Sequence, residues 1–119
     1  MIIKLDREYE VKCTLGTIRD IEDSFKKSFV EIVSDIGKLS TREQMKMLFI
    51  GVHRANLELT ESEFENKCDN YLGLGDLTDY LEQYILQLQY PGKTPEEIQE
   101  KIEKKVQRAA ALRGSTITN

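Results

Sequence analysis

The residues of this chain that could do chemistry are few. His53 is its one histidine, and Cys13 and Cys68 are its two thiols. A Cys/His or Ser/His/Asp nucleophilic set needs its base within hydrogen-bond reach of the nucleophile, and nothing in the sequence places either cysteine beside His53. Both cysteines fall at apolar positions of their segments, the usual setting of inert core thiols. Together with one histidine they cannot complete a four-ligand zinc site. Glu61, Glu63, Glu65 and Asp69 supply paired carboxylates, but on a helix expected to face water, without the apolar surroundings that raise a carboxyl pKa for general-acid work. Glu65 and Asp69 stand at i, i+4 and could share a divalent cation. Hard cations want several more oxygen ligands, so a solvated acidic face is the preferred reading. Gly73-Leu74-Gly75 lacks the third glycine, the preceding strand and the Lys-Ser/Thr pair of a phosphate-cradling loop, and reads as a turn. The expectation is therefore no enzyme, no cofactor and no metal.

The elements that would position these residues are written in the hydrophobic periodicity. Tyr9, Val11 and Cys13 alternate with Glu10 and Lys12, the period of a half-buried strand, and with Ile2 to Leu5 they predict a β-hairpin turning at Asp6 to Glu8. An isolated hairpin is marginal in water, so its apolar face must lie on helices or its edge must pair with another chain. From Thr17 the spacing becomes helical: Ile18, Ile21, Phe25, Phe29, Ile32 and Ile36 share one face of a single helix, bent near Ser28, opened by Thr17 with Asp20 and stopped at Gly37. Ser40 and Glu43 form a capping box for a central helix that is apolar on two sides, with Met45, Leu48, Phe49 and Val52 opposite Met47 and Ile50. Gly51 inside it costs up to about 1 kcal/mol relative to alanine, which close packing of a neighbouring element would justify. His53 near its end reads as a half-exposed polar residue. Thr60 and Glu63 open a fourth segment, Leu77 to Leu88 mark a further apolar stripe, and Thr94-Pro95-Glu96-Glu97 starts a last helix whose stripe is thin: Ile98, Ile102, Val106, Ala109 and Ala110.

The fold class expected is α+β, mostly α: a short N-terminal β-hairpin followed by a compact bundle of about five helices, the C-terminal one free to project. Residues 1–90 would form the hairpin and helical domain, 91–113 a C-terminal helix available to partners, and 114–119 a disordered tail. With 119 residues, 17 Lys+Arg against 21 Asp+Glu and 39% hydrophobic residues, the composition suits one small globular domain and excludes collagen-like, low-complexity and wholly disordered chains. No apolar run approaches the roughly 20 residues of a membrane helix, and Met1 to Leu5 lacks a signal peptide's apolar region, so no membrane partner and a reducing cytoplasm are expected. Charge is unevenly distributed. Between Glu58 and Glu82 eight acids meet one lysine, whereas Lys101 to Arg113 has five bases and one acid. Such polarity can steer one subunit's basic helix to another's acidic middle, or simply keep a small domain soluble. Nucleic acid is not the expected partner, because Lys101 to Arg113 carries no aromatic on which a base could stack.

The order of features, Leu5-Asp6 with Tyr9 and Val11, then Thr14, Ile18, Ile21-Glu22, Phe25, Leu48-Phe49, Thr60, Glu63-Phe64, Asp69, Leu74 and Leu77, resembles the tail assembly chaperones of long-tailed bacteriophages and prophages. The resemblance covers about Ile2 to Leu88 and is carried mostly by hydrophobic positions. It implies a non-enzymatic assembly factor of the bacterial host cytoplasm, absent from the mature virion, that keeps the helical tape measure protein from aggregating and recruits tail tube protein. Self-association would accompany that role. The residues expected at interfaces are Ile3, Leu5, Tyr9 and Val11 of the hairpin and Ile98, Ile102 and Val106 of the last helix. Alternatives of other classes are a small helical nucleic-acid-binding regulatory protein, which steep salt dependence of DNA or RNA binding would reveal, and a head-to-tail connector found in purified particles.

Overall fold

In a computed structural model, which describes the backbone from Met1 to Ile117 and the side chains as far as Ala110, two short strands precede a series of helices. Strands β1 (Ile2–Lys4) and β2 (Glu8–Glu10) pair antiparallel with Ile3 opposite Tyr9. The ladder continues at both ends, from the Val11 N–H to the Met1 carbonyl at 2.8 Å and from the Leu5 N–H to the Arg7 carbonyl at 2.9 Å. Ile3, Leu5, Tyr9 and Val11 thereby share one face, and all four are buried. The turn is braced by Asp6, which accepts from the Tyr9 hydroxyl and from Lys67 Nζ, each at 2.8 Å. Those two donors, Lys67 first, hold the Asp6 carboxyl below its ordinary pKa.

The expected first helix is two. Helix α1 (Leu15–Phe25) ends where Lys26 takes a left-handed conformation with φ of 57°, and α2 (Phe29–Ser34) restarts from Ser28, whose hydroxyl accepts from the Glu31 N–H at 3.2 Å. Glu22 ties the break together, its carboxylate accepting from the Phe29 N–H at 2.9 Å. A short 3-10 turn, Ile36–Lys38, follows. The cap of α1 is also three residues earlier than expected. Thr14 is the capping residue, and Thr17 is buried at the third position of the helix, donating its hydroxyl to the Lys12 carbonyl at 2.7 Å. Thr17 is recruited inward to satisfy a carbonyl at the strand's exit, a role that a cap pattern does not reveal.

Helix α3 (Thr41–Ala55) is the centre of the domain and touches α1, α4, α5 and β2. Its Ser40–Glu43 capping box forms as expected, with bonds of 2.9 and 3.1 Å. Helices α4 (Glu61–Tyr71) and α5 (Leu74–Gln89) complete the core through Phe64, Cys68, Leu77, Leu81, Tyr84 and Leu88. An alanine Cβ at Gly51 would lie 2.7 Å from a ring carbon of Tyr84 and 2.8 Å from a Val11 methyl, so the glycine is where the hairpin and α5 both meet α3. The hairpin's outer edge on β2 is covered by α3: the Lys12 N–H reaches the Gly51 carbonyl at 3.0 Å, and Asn56 donates to the Glu10 carbonyl at 3.1 Å. On β1, the Lys4 N–H is taken by the Tyr80 hydroxyl at 3.1 Å.

Helix α6 (Pro95–Ile117) stretches the molecule to 59 Å against 29 and 26 Å in the other directions. Its backbone is helical through Gly114 to Ile117, most of the segment expected as a tail, because nothing after Arg113 supplies a stop stronger than one glycine. Thr118 and Asn119 lie outside the described residues.

Candidate protein-binding surface

The connection between α5 and α6 determines where the last helix lies. Tyr90 ends α5, and Gly92 takes a left-handed φ of 73°. Gln87 then clasps the turn, accepting from the Gly92 N–H at 3.1 Å and donating to the Lys93 carbonyl at 3.0 Å. Thr94 caps α6 by accepting from the Glu97 N–H at 3.2 Å, and Pro95 occupies the first helical position, where its missing N–H is not needed. The start of α6 is thus held to the end of α5 across the outer side of β1. Between them opens a groove of about 810 Å³ whose apolar wall is Met1, Ile2, Leu86, Pro95, Ile98 and Ile102, with Gln83, Lys93 and Gln99 on its rim. Ile2 and Leu86 are exposed there.

The residues expected at interfaces divide sharply. Ile3, Leu5, Tyr9 and Val11 are buried in the core of this same chain, which corrects their assignment to a free surface: Val11 meets Gly51 of α3, and Lys67 of α4 lies over Tyr9. Ile98 is likewise buried. Ile102 is half-buried on the groove wall, and Val106 is 62% exposed. From Glu103 to Ala110 every side chain of α6 is exposed. Sequence reasoning missed Met1, Ile2 and Leu86 because each is an unremarkable apolar residue whose partner lies elsewhere in the chain.

The basic end gains an aromatic that its own segment lacks. Lys101 Nζ lies 5.5 Å from the Tyr90 ring centroid, and Tyr90, Lys101, Lys104, Lys105 and Arg108 line one cleft of about 260 Å³. The groups considered for catalysis are dispersed or occupied. His53 Nδ1 lies 3.0 Å from the Leu59 carbonyl, and its ring stands 5.1 Å from that of Phe49. The Cys13 thiol contacts the Val11 carbonyl at 3.8 Å, and burial raises its pKa. Cys68 is buried and, through desolvation first and the nearby Asp69 and Glu65 second, pushed up to about 12. Glu65 is 3.9 Å from Arg42. Among the described residues no three His, Cys, Asp or Glu side chains cluster as a metal site, and no helix is long and apolar enough to cross a membrane.

Comparison with known proteins supplies no relative for this fold or surface: no family model, curated protein or solved structure matches the chain.

Proposed function

We propose that this protein is a non-enzymatic assembly factor of the phage tail assembly chaperone kind, which binds a tape measure protein, keeps it soluble and recruits tail tube subunits in a bacterial host cytoplasm. The observation that carries the binding part is the solvent-open apolar groove beside β1, continued by a helix whose side chains are all exposed from Glu103 to Ala110. A groove of this kind takes an amphipathic helix, whose apolar face removes the groove wall from water and whose polar face stays wet. A tape measure protein presents long stretches of such helix. The order of sequence features from Leu5-Asp6 to Leu77 supports the choice of partner, and the groove supports the mode.

Co-expression with the tape measure protein encoded beside the gene, followed by sizing of the soluble fraction by light scattering, tests the reading. The expected product is a soluble complex with several copies of this chain, from a tape measure protein that is insoluble alone. Ile102→Asp places a charge on the groove wall and is expected to abolish that complex while leaving the far-ultraviolet circular dichroism of the domain unchanged. A tape measure protein equally insoluble with and without this chain would refute the proposal.

A further inference from the structure

Helix α6 carries two adjacent stripes from Lys101 onward. Lys101, Lys104, Lys105 and Arg108 recur at three, one and three residues, which aligns them along one face, and Val106, Ala109 and Ala110 run beside them. Among the described residues only Lys104 of the four cations forms an ion pair, with Glu100 at 3.6 Å on the helix itself. Helices in proteins are stabilised mainly by packing an amphipathic face, and every side chain of this one from Glu103 to Ala110 is exposed, with Tyr90 beside Lys104, Lys105 and Arg108 in an open cleft.

The complementary surface is at the other end of α5. Where α4 turns into α5, Tyr71 is 55% and Leu74 63% exposed, with Asp69, Asp76 and Asp79 around them. Two shallow clefts meet at this corner, one of about 370 Å³ that includes Tyr71, Asp76 and Asp79, and one of about 230 Å³ between Met45, Leu72 and Leu74. Lys4 also lines the first cleft, and among the described residues none of the three aspartates is ion-paired.

We infer that α6 of one copy docks on the α4–α5 corner of a second copy of this chain, Lys101, Lys104, Lys105 and Arg108 against Asp69, Asp76 and Asp79, with Val106 and Ala109 over Tyr71 and Leu74. Charge complementarity between an uncovered basic-apolar helix and an uncovered acidic-apolar corner selects this occupant. A nucleic acid would satisfy the cations but leave the corner uncovered, and the chain's net charge of −4 opposes it. Because donor and acceptor are different patches, the contact is heterologous: each copy can give one helix and receive another. The inference does not depend on the identity of the tape measure partner.

Light scattering and sedimentation of the full chain across protein concentration, at low and high salt, provide the test. The wild type is expected to self-associate and to dissociate as salt is raised. The charge reversals Lys104→Glu/Lys105→Glu/Arg108→Glu in one variant and Asp69→Lys/Asp79→Lys in another are each expected to weaken association at least about tenfold. Asp76 is left in place because it caps α5, accepting from the Gly73 N–H at 2.9 Å. Mixing the two variants recreates opposite charges across the contact and is expected to restore association, an outcome that misfolding of either variant cannot produce. A wild type that stays monomeric at low salt, reversals that leave association unchanged, or failure of the mixture to recover when both variants keep native circular dichroism would each overturn the inference. So would salt-dependent capture of a mixed-sequence RNA or DNA duplex by a monomeric wild type, lost in the Lys104→Glu/Lys105→Glu/Arg108→Glu variant.

Discussion

Gly51 stands between two buried neighbours, with a ring carbon and the hydroxyl of Tyr84 and a methyl of Val11 all within 2.8 Å of where a Cβ would be. Gly51→Ala gains up to about 1 kcal/mol of helix propensity, but forcing two buried neighbours apart costs typically about 1–3 kcal/mol. The urea midpoint is therefore expected to fall, and an unchanged or raised midpoint would mean that Tyr84 can move aside freely. Tyr84 and Cys68 also make stability pH-dependent on the alkaline side. Burial raises the pKa of the Tyr84 hydroxyl, and desolvation pushes the Cys68 thiol up to about 12. In the unfolded chain the same groups ionise near about 8.5 for the thiol and about 10 for the phenol. The unfolded state then releases protons that the folded state keeps, so the stabilisation is full below pH of about 8.5 and is lost as pH rises through the window up to about 12. Urea melts at neutral pH and at pH of about 10 should show the decline, and Tyr84→Phe should flatten its upper part.

At the level of the element, the break after α1 is the informative case. Lys26 adopts a left-handed backbone, a conformation that costs an L-residue roughly 1–2 kcal/mol and glycine little. Lys26→Gly is expected to stabilise the fold by up to about 1 kcal/mol, read as a raised Tm; a lowered Tm would show that the lysine side chain contributes more than its backbone strain. The same residue explains why the break was not legible in the sequence. Ile18, Ile21, Phe25, Phe29 and Ile32 keep helical spacing across it, because both helices lay their apolar sides on one core. Helix starts governed by local chemistry, Ser40 with Glu43 and Thr60 with Glu63, were readable, since the cap and its partner lie within four residues. Gly51 was readable as a close approach, though not as an approach by Tyr84. The candidate surface was legible only in part. A stripe of apolar residues at Ile3, Leu5, Tyr9 and Val11 says that something covers it, and only the three-dimensional arrangement says that the cover is the helices of the same chain.

For the whole molecule, the main physical division runs across α6. Ile98 is buried, Ile102 half-buried, and from Glu103 to Ala110 every side chain is exposed. Ending the chain after Ile102 removes no buried side chain among those described, so the denaturant stability of the body is expected to change by no more than about 0.5 kcal/mol. A larger loss would show that the distal helix supports the fold. Under the self-docking contact inferred above, that shortened chain should be monomeric at salt concentrations where the full chain associates, separating the support of the fold from the joining of copies.

The hairpin's dependence on α3 has a consequence for the order of events during synthesis. Lys12 bonds to Gly51 and Lys4 to Tyr80, so the hairpin strands are stitched down by residues made much later. A two-stranded hairpin alone is marginal. At about 5–20 residues per second, the gap of roughly forty residues between Lys12 and Gly51 leaves the apolar face of Ile3, Leu5, Tyr9 and Val11 without its cover for several seconds on the ribosome. The nascent chain therefore passes through an interval in which its own hairpin needs the kind of shielding that the finished protein is proposed to give to another.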